Sequence, residues 1–142
     1  MKRLAFLLVV VLSAVALQGG GEESVDALKA RAAAAQGKKQ VELLVEIAQR
    51  QLKAADDLYA DGKTEQAQAP LKDVVDYGSR ACQVASETGE RMKKTEIAVR
   101  KIAYRLVEIR RAVAFDDRPP LAAASEKLEK AHDDLLRRMF KK

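Results

Sequence analysis

The sequence predicts an all-α protein, an antiparallel up-down four-helix bundle with a short extra helix at its N-terminal side. Three observations predict it. Four long segments carry apolar residues at steps of three and four, Gly or Pro punctuates the gaps between them, and no segment keeps the strict alternation of a strand. Composition agrees: 142 residues are 48% hydrophobic and 33% charged, with no Trp and three Pro. That is the profile of a globular helical domain rather than of a disordered chain.

Lys2 and Arg3 precede an apolar run, residues 4–12 (LAFLLVVVL), then Ser13 and Ala14-Val15-Ala16. A positive start, a short apolar core and a small-x-small site are the parts of a secretory signal peptide. The run falls short of the roughly 20 apolar residues a membrane helix needs. The expectation is a signal peptide over residues 1–16, with cleavage as late as 21 in the Gly19-Gly20-Gly21 run, and an uncleaved anchor as the alternative. The mature chain is then exported, periplasmic or secreted, and long enough for one domain.

Residues 17–37 read as a flexible segment plus a weak helix from about Ser24 to Ala35 (SVDALKARAAAA), rich in Ala and with little to bury. Gly37 breaks it, and residues 38–142 form the bundle domain. The second helix, 38–61, aligns Val41, Leu44, Ile47, Ala48, Leu52, Ala55, Leu58 and Tyr59 on one face, and Gly62 ends it.

Thr64 is the expected cap of the third helix, which runs to about Thr88 with Ala67, Leu71, Val74, Val75, Ala81 and Ala85 inward. Pro70, beyond its first turn, is expected to kink it or shift its start. Gly89 closes the turn. The fourth helix carries Met92, Thr95, Val99, Ile102, Leu106, Ile109 and Val113, a heptad seam. Asp116-Asp117-Arg118-Pro119-Pro120 is a stop and restart, with an Asp cap and Pro in the first turn of the fifth helix. That helix repeats the seam with Leu121, Ala124, Leu128, Ala131 and Leu135. Short loops place each helix antiparallel to the next.

The stretch 99–113 (VRKIAYRLVEIRRAV) is basic as well as periodic. With the seam inward, Lys93, Lys94, Arg100, Lys101 and Arg111 point to solvent. Residues 88–142 hold 15 basic and 9 acidic side chains, whereas residues 17–87 hold 9 basic and 12 acidic. Opposite signs on packed neighbours predict pairing across the bundle, which weakens the case for an external polyanion. Nucleic acid is further disfavoured because the chain carries a secretory signal, has no known binding motif and has only 4% aromatics to stack bases. Contact with anionic lipid or an acidic envelope polymer stays open.

Ile97 and Tyr104, seven apart, lie opposite the seam, with Arg100, Lys101, Val107 and Arg111 on the same side. Apolar residues in line on an outer face point to a second contact. The first helix is the expected cover; a second copy or another protein is the alternative, and these six residues are the candidate partner surface.

Catalysis finds little support. The one histidine, His132, lies beside the fifth seam, and the pairs Asp56-Asp57, Asp116-Asp117 and Asp133-Asp134 are adjacent residues that share no helix face. No Gly-rich phosphate loop, nucleophile elbow or metal-ligand spacing occurs, so no enzyme, cofactor, metal or small-molecule substrate is expected. The single Cys82 has no internal partner; it reads as a small apolar interface residue, with an intermolecular disulfide as the alternative.

Residues 58–74 (LYADGKTEQAQAPLKDV) resemble the turn and second helix of a tetratricopeptide repeat. Leu58, Gly62, Ala67 and Leu71 occupy its apolar, turn and small positions. The chain departs from it at Gln51, Ala54-Ala55, Val74 and Ser79, and no second copy follows, Glu96 standing where the turn Gly would recur. The resemblance implies a helical hairpin and a role in protein interaction. The expected function is therefore a non-enzymatic interaction or structural module of the bacterial envelope, its partner itself or an envelope protein. The alternative is a periplasmic chaperone- or stress-type bundle that binds unfolded protein or anionic polymer through the basic face.

Overall fold

A computed structural model describes residues 23–141, so the signal-peptide reading of residues 1–16 lies outside the described residues. Five α-helices account for nearly all of that span, and no strand occurs among the described residues: α1 (Val25–Ala34), α2 (Gly37–Ala60), α3 (Thr64–Thr88), α4 (Met92–Ala112) and α5 (Arg118–Met139), with a 3-10 turn at Phe115–Asp117 before α5. None of these helices is long and apolar enough to cross a membrane.

Turn chemistry sets the boundaries. Ser24 caps α1, its Oγ accepting from the Ala27 amide at 3.1 Å. Gly89 closes α3 at φ 72°, in the left-handed region that Gly enters without a Cβ penalty. Two expected caps are corrected. Thr64 is the first residue of α3 rather than its cap, which is Lys63, and Asp117 at the start of α5 makes no side-chain capping bond. Pro70 sits inside α3 and is buried, without shifting the helix start.

Consecutive long helices pair as antiparallel hairpins. Gln51 of α2 donates to Asp73 of α3 at 2.8 Å, each nine residues from the turn. Glu96 of α4 meets His132 of α5 at 3.0 Å in the same way. The two hairpins then lie side by side with matching helices parallel. Arg91 pairs with Glu42 at 2.7 Å and Arg105 with Asp56 at 2.6 Å, so α4 follows α2. Residues 68–76 share a groove with 120–127, and 79–87 one with 131–138, so α5 follows α3. The closest approach is at Gly78, where an added Cβ would stand 2.8 Å from Leu128 Cδ2.

The helix α1 occupies the other side of the first hairpin. Lys29 pairs with Asp73 at 2.6 Å and lies over the Tyr77 ring at 5.3 Å. Gln40 of α2 donates to the Ala32 carbonyl at 3.2 Å, and Arg50 donates to the Glu23 carbonyl. Asp73 and Tyr77 lie on the face of α3 opposite Val75 and Cys82, which turn toward α5. Three layers result: α1, then α2/α3, then α4/α5.

This order corrects the reading of α1. Far from having little to bury, it puts Leu28 and Ala32 at 1% and 2% exposure. It also covers α2 and α3 rather than Ile97 and Tyr104, which leaves Tyr104 64% exposed. The central parts of the α4 and α5 seams lie in the core as expected, with Val99, Ile102, Leu106, Ile109, Leu121, Leu128 and Leu135 buried, while the seam members Met92, Val113 and Ala131 are only half-buried. In α2 and α3 the buried arc is wider than one stripe and takes in Leu43, Gly78, Cys82 and Val84, while Leu52, Leu58 and Val75 are only half-buried.

Candidate functional site

The outer side of the α4/α5 layer carries an open groove of about 390 Å³. It is lined by Arg100, Ala103, Tyr104, Val107 and Arg111 from α4, and Glu129 and His132 from α5. Helix periodicity builds it: Arg100, Tyr104, Val107 and Arg111 recur at steps of four, three and four, a face turned away from the buried seam. Four of the six predicted surface residues are thus brought together. Ile97, half-buried, and Lys101, exposed, lie on the same side of α4 but outside the groove lining.

Behind the groove sits a polar tie between the two helices. Glu96 is 7% exposed, with Oε1 3.0 Å from His132 Nε2 and 3.4 Å from Arg100 Nε. His132 Nδ1 lies 3.9 Å from Asp133. A nearly buried carboxylate is tolerated where hydrogen-bonding and cationic groups replace its water. No local pattern marks this burial, because Glu96 stands one residue from the seam and its partner is 36 residues away. The groove lining holds no Ser, Thr or Cys beside the histidine. Among the described residues no group of three or more His, Cys, Asp or Glu is placed to hold a metal ion.

Cross-hairpin pairing of the basic half is partial. Arg91 and Arg105 are paired to Glu42 and Asp56 of α2. Lys93, Lys94, Lys101, Arg110 and Arg111 make no ion pair among the described residues. The predicted pairing across the bundle thus accounts for two arginines and leaves the outer face of α4 basic.

A larger groove, about 480 Å³, lies between α1 and the first hairpin, lined by Lys29, Gln40, Asp73, Tyr77 and Arg80 among others. Its two facing charges pair with each other: Asp73 accepts from Lys29 and also from Gln51, and Asp73 holds the Lys29 ammonium above the usual lysine range. It reads as the seam between two layers. Cys82 lies on the α5 side of α3, 2% exposed, its thiol pushed up to about 12 by burial and then by Asp134. Such a thiol is inert, not poised for a disulfide.

A scan against family models and searches of curated proteins and of solved structures find no match to the chain.

Proposed function

We propose that the protein is an exported, non-enzymatic helical interaction module of the bacterial envelope, and that the outer face of α4/α5 is its recognition surface. Its long helices are then an up-down set of two stacked hairpins, the first of them tetratricopeptide-like. The observation that carries the reading is Tyr104: an aromatic 64% exposed in a groove framed by Arg100 and Arg111, on a layer that nothing covers among the described residues. Tyr and Arg over an apolar floor are the side chains that dominate binding energy at protein interfaces. The sequence-read signal peptide supports the compartment.

The runner-up, a chaperone-like bundle that holds anionic polymer or unfolded protein, draws support from Lys93, Lys94, Lys101, Arg110 and Arg111, which make no ion pair among the described residues. One experiment separates the two. Tagged protein is purified from its native envelope, and its N-terminus and companions are read by mass spectrometry. The reading expects an N-terminus between Leu17 and Glu22, and a protein companion that Tyr104→Ser loses. Lipid or polymer retained equally by Tyr104→Ser, and lost when Lys93, Lys94 and Lys101 become Gln, would favour the runner-up. An intact Met1 in the soluble fraction would remove export.

A further inference from the structure

We infer that the open α4/α5 layer is closed by a second copy of the same chain, packed face to face about a two-fold axis that runs along the helices. The inference rests on the reading of this face as an interaction surface and names its occupant.

The layer order is the first argument. In stacked helical hairpins each layer buries its apolar face on the next, and a terminal layer stays soluble by being polar outside. The α2/α3 hairpin is covered by α1 on one side and α4/α5 on the other. The α4/α5 layer is covered once, yet its outer side presents Tyr104 exposed and Ile97, Val107 and Leu136 half-exposed, none of them packed on the core. That is the surface of an inner layer at an outer position.

Charge selects the occupant. On α4 the groove is lined by Arg100 and Arg111, and the exposed Lys93 and Lys101 lie beyond it on the same helix. On α5 the same side carries Glu126, Glu129 and Asp133, at steps of three and four and all exposed. A foreign acidic helix or a polyanion would satisfy α4 and be repelled by α5; a basic partner would meet the reverse. The face is complementary to itself, because one rim is basic and the other acidic.

The same charges choose the symmetry. A two-fold axis in the interface either lies along the helices, which lays α4 over α5 of the second copy, or across them, which stacks basic α4 on basic α4. Only the first is attractive. It also preserves height along the helices. Because Glu96 and His132 share a level, Arg100 and Lys101 arrive over Glu126 and Glu129 of the second copy. Tyr104 and Val107 then arrive near its Ala122. A 21-residue α4 is about 31 Å long. Two such helices side by side bury about 1,200 Å² over both copies, the lower end of stable interfaces. Buried area alone does not set the affinity, so the test spans a wide concentration range.

Sedimentation equilibrium on the full chain, from low micromolar to about 100 μM, reads the result. The expected outcome is a monomer–dimer equilibrium whose dissociation constant rises with salt. Lys93→Glu with Lys101→Glu, and separately Glu126→Lys with Glu129→Lys, change exposed residues that make no ion pair among the described residues. Each double variant should weaken its own dimer at least about tenfold, and an equimolar mixture of the two should restore a dimer. Circular dichroism verifies that both stay folded, and the salt series needs no variant. A wild-type chain that stays monomeric throughout would overturn the proposal. So would variants that dimerise unchanged, or a mixture that stays monomeric. A monomer that still loses an envelope companion through Tyr104→Ser would overturn the second copy and leave the interaction reading standing.

Discussion

Two tyrosines on the two hairpins show what a covering layer does. Tyr77 lies on the outward side of α3, and α1 closes over it, with the Lys29 ammonium 5.3 Å from the ring centre. Tyr104 lies on the outward side of α4, has no such layer among the described residues and is 64% exposed. Both helices carry an amphipathic pattern and a basic neighbour. The difference is that one hairpin is packed on both sides and the other on one. Burial on both sides turns an aromatic into part of a polar and apolar seam; burial on one side leaves it open to solvent, and the proposed reading makes it an anchor.

The comparison can be broken most severely between the hairpins. Leu106 and Leu128 are both fully buried where α4/α5 meets the rest of the chain. Truncating either to Ala should cost about 2–5 kcal/mol, transfer energy plus a cavity, measured by urea unfolding. Equal loss at an outer position such as Val107 would mean the layers are misplaced.

The contact between layers can also be overfilled. Gly78 admits Leu128 Cδ2 within 2.8 Å of where a Cβ would stand, and Leu128 is itself fully buried. Gly78→Val should destabilise by about 1–3 kcal/mol although Val is the better helix former. A stabilised Gly78→Val would show that α5 lies further from α3.

Cys82 sharpens the comparison chemically, because it lies between α3 and α5 rather than on the open side. Burial raises its thiol to about 12 in the folded chain, against about 8.5 unfolded. A group whose folded pKa is raised contributes stability below its unfolded pKa and loses it as pH rises through the folded one. Stability should therefore fall between about pH 8.5 and 12, and Cys82→Ala should flatten that fall. Iodoacetamide at pH 8 should label Cys82 only after unfolding.

The smallest effect belongs to the basic outer face. Lys101→Ala, at an exposed position, should change stability by less than about 0.5 kcal/mol. A larger loss would return this lysine to the structural network and weaken the interaction reading.

Much of this was legible before the fold. Regular steps of three and four gave the α4 and α5 seams, and Gly62 and Gly89 marked the turns, because a helix with one buried side writes its pattern locally. The same rule explains what was missed. Helices covered on two sides bury a wider arc, so Leu43, Cys82 and Val84 fall off any single stripe. In α1 only Leu28 and Ala32 are fully buried, with Val25 packed beside them, and the alanines around the rest of the helix leave no contrast from which a stripe could be read. Of the candidate site, the α4 half was readable as a second line of apolar and basic residues. The α5 half, Glu129 and His132, came from the pairing of helices, which no local pattern encodes.

The central claim is that the α4/α5 face is where this protein is covered by something else. Tyrosine nitration tests it directly, since the chain has three tyrosines in three environments. Tyr59 is buried, its hydroxyl held above the usual tyrosine range by burial and then by Asp117; Tyr77 is half-covered by α1 and Tyr104 is open. In dilute protein Tyr104 should react first. At high protein concentration or with native envelope extract, Tyr104 should become protected while Tyr77 keeps its rate. A Tyr104 that reacts equally fast in all three conditions would contradict the account.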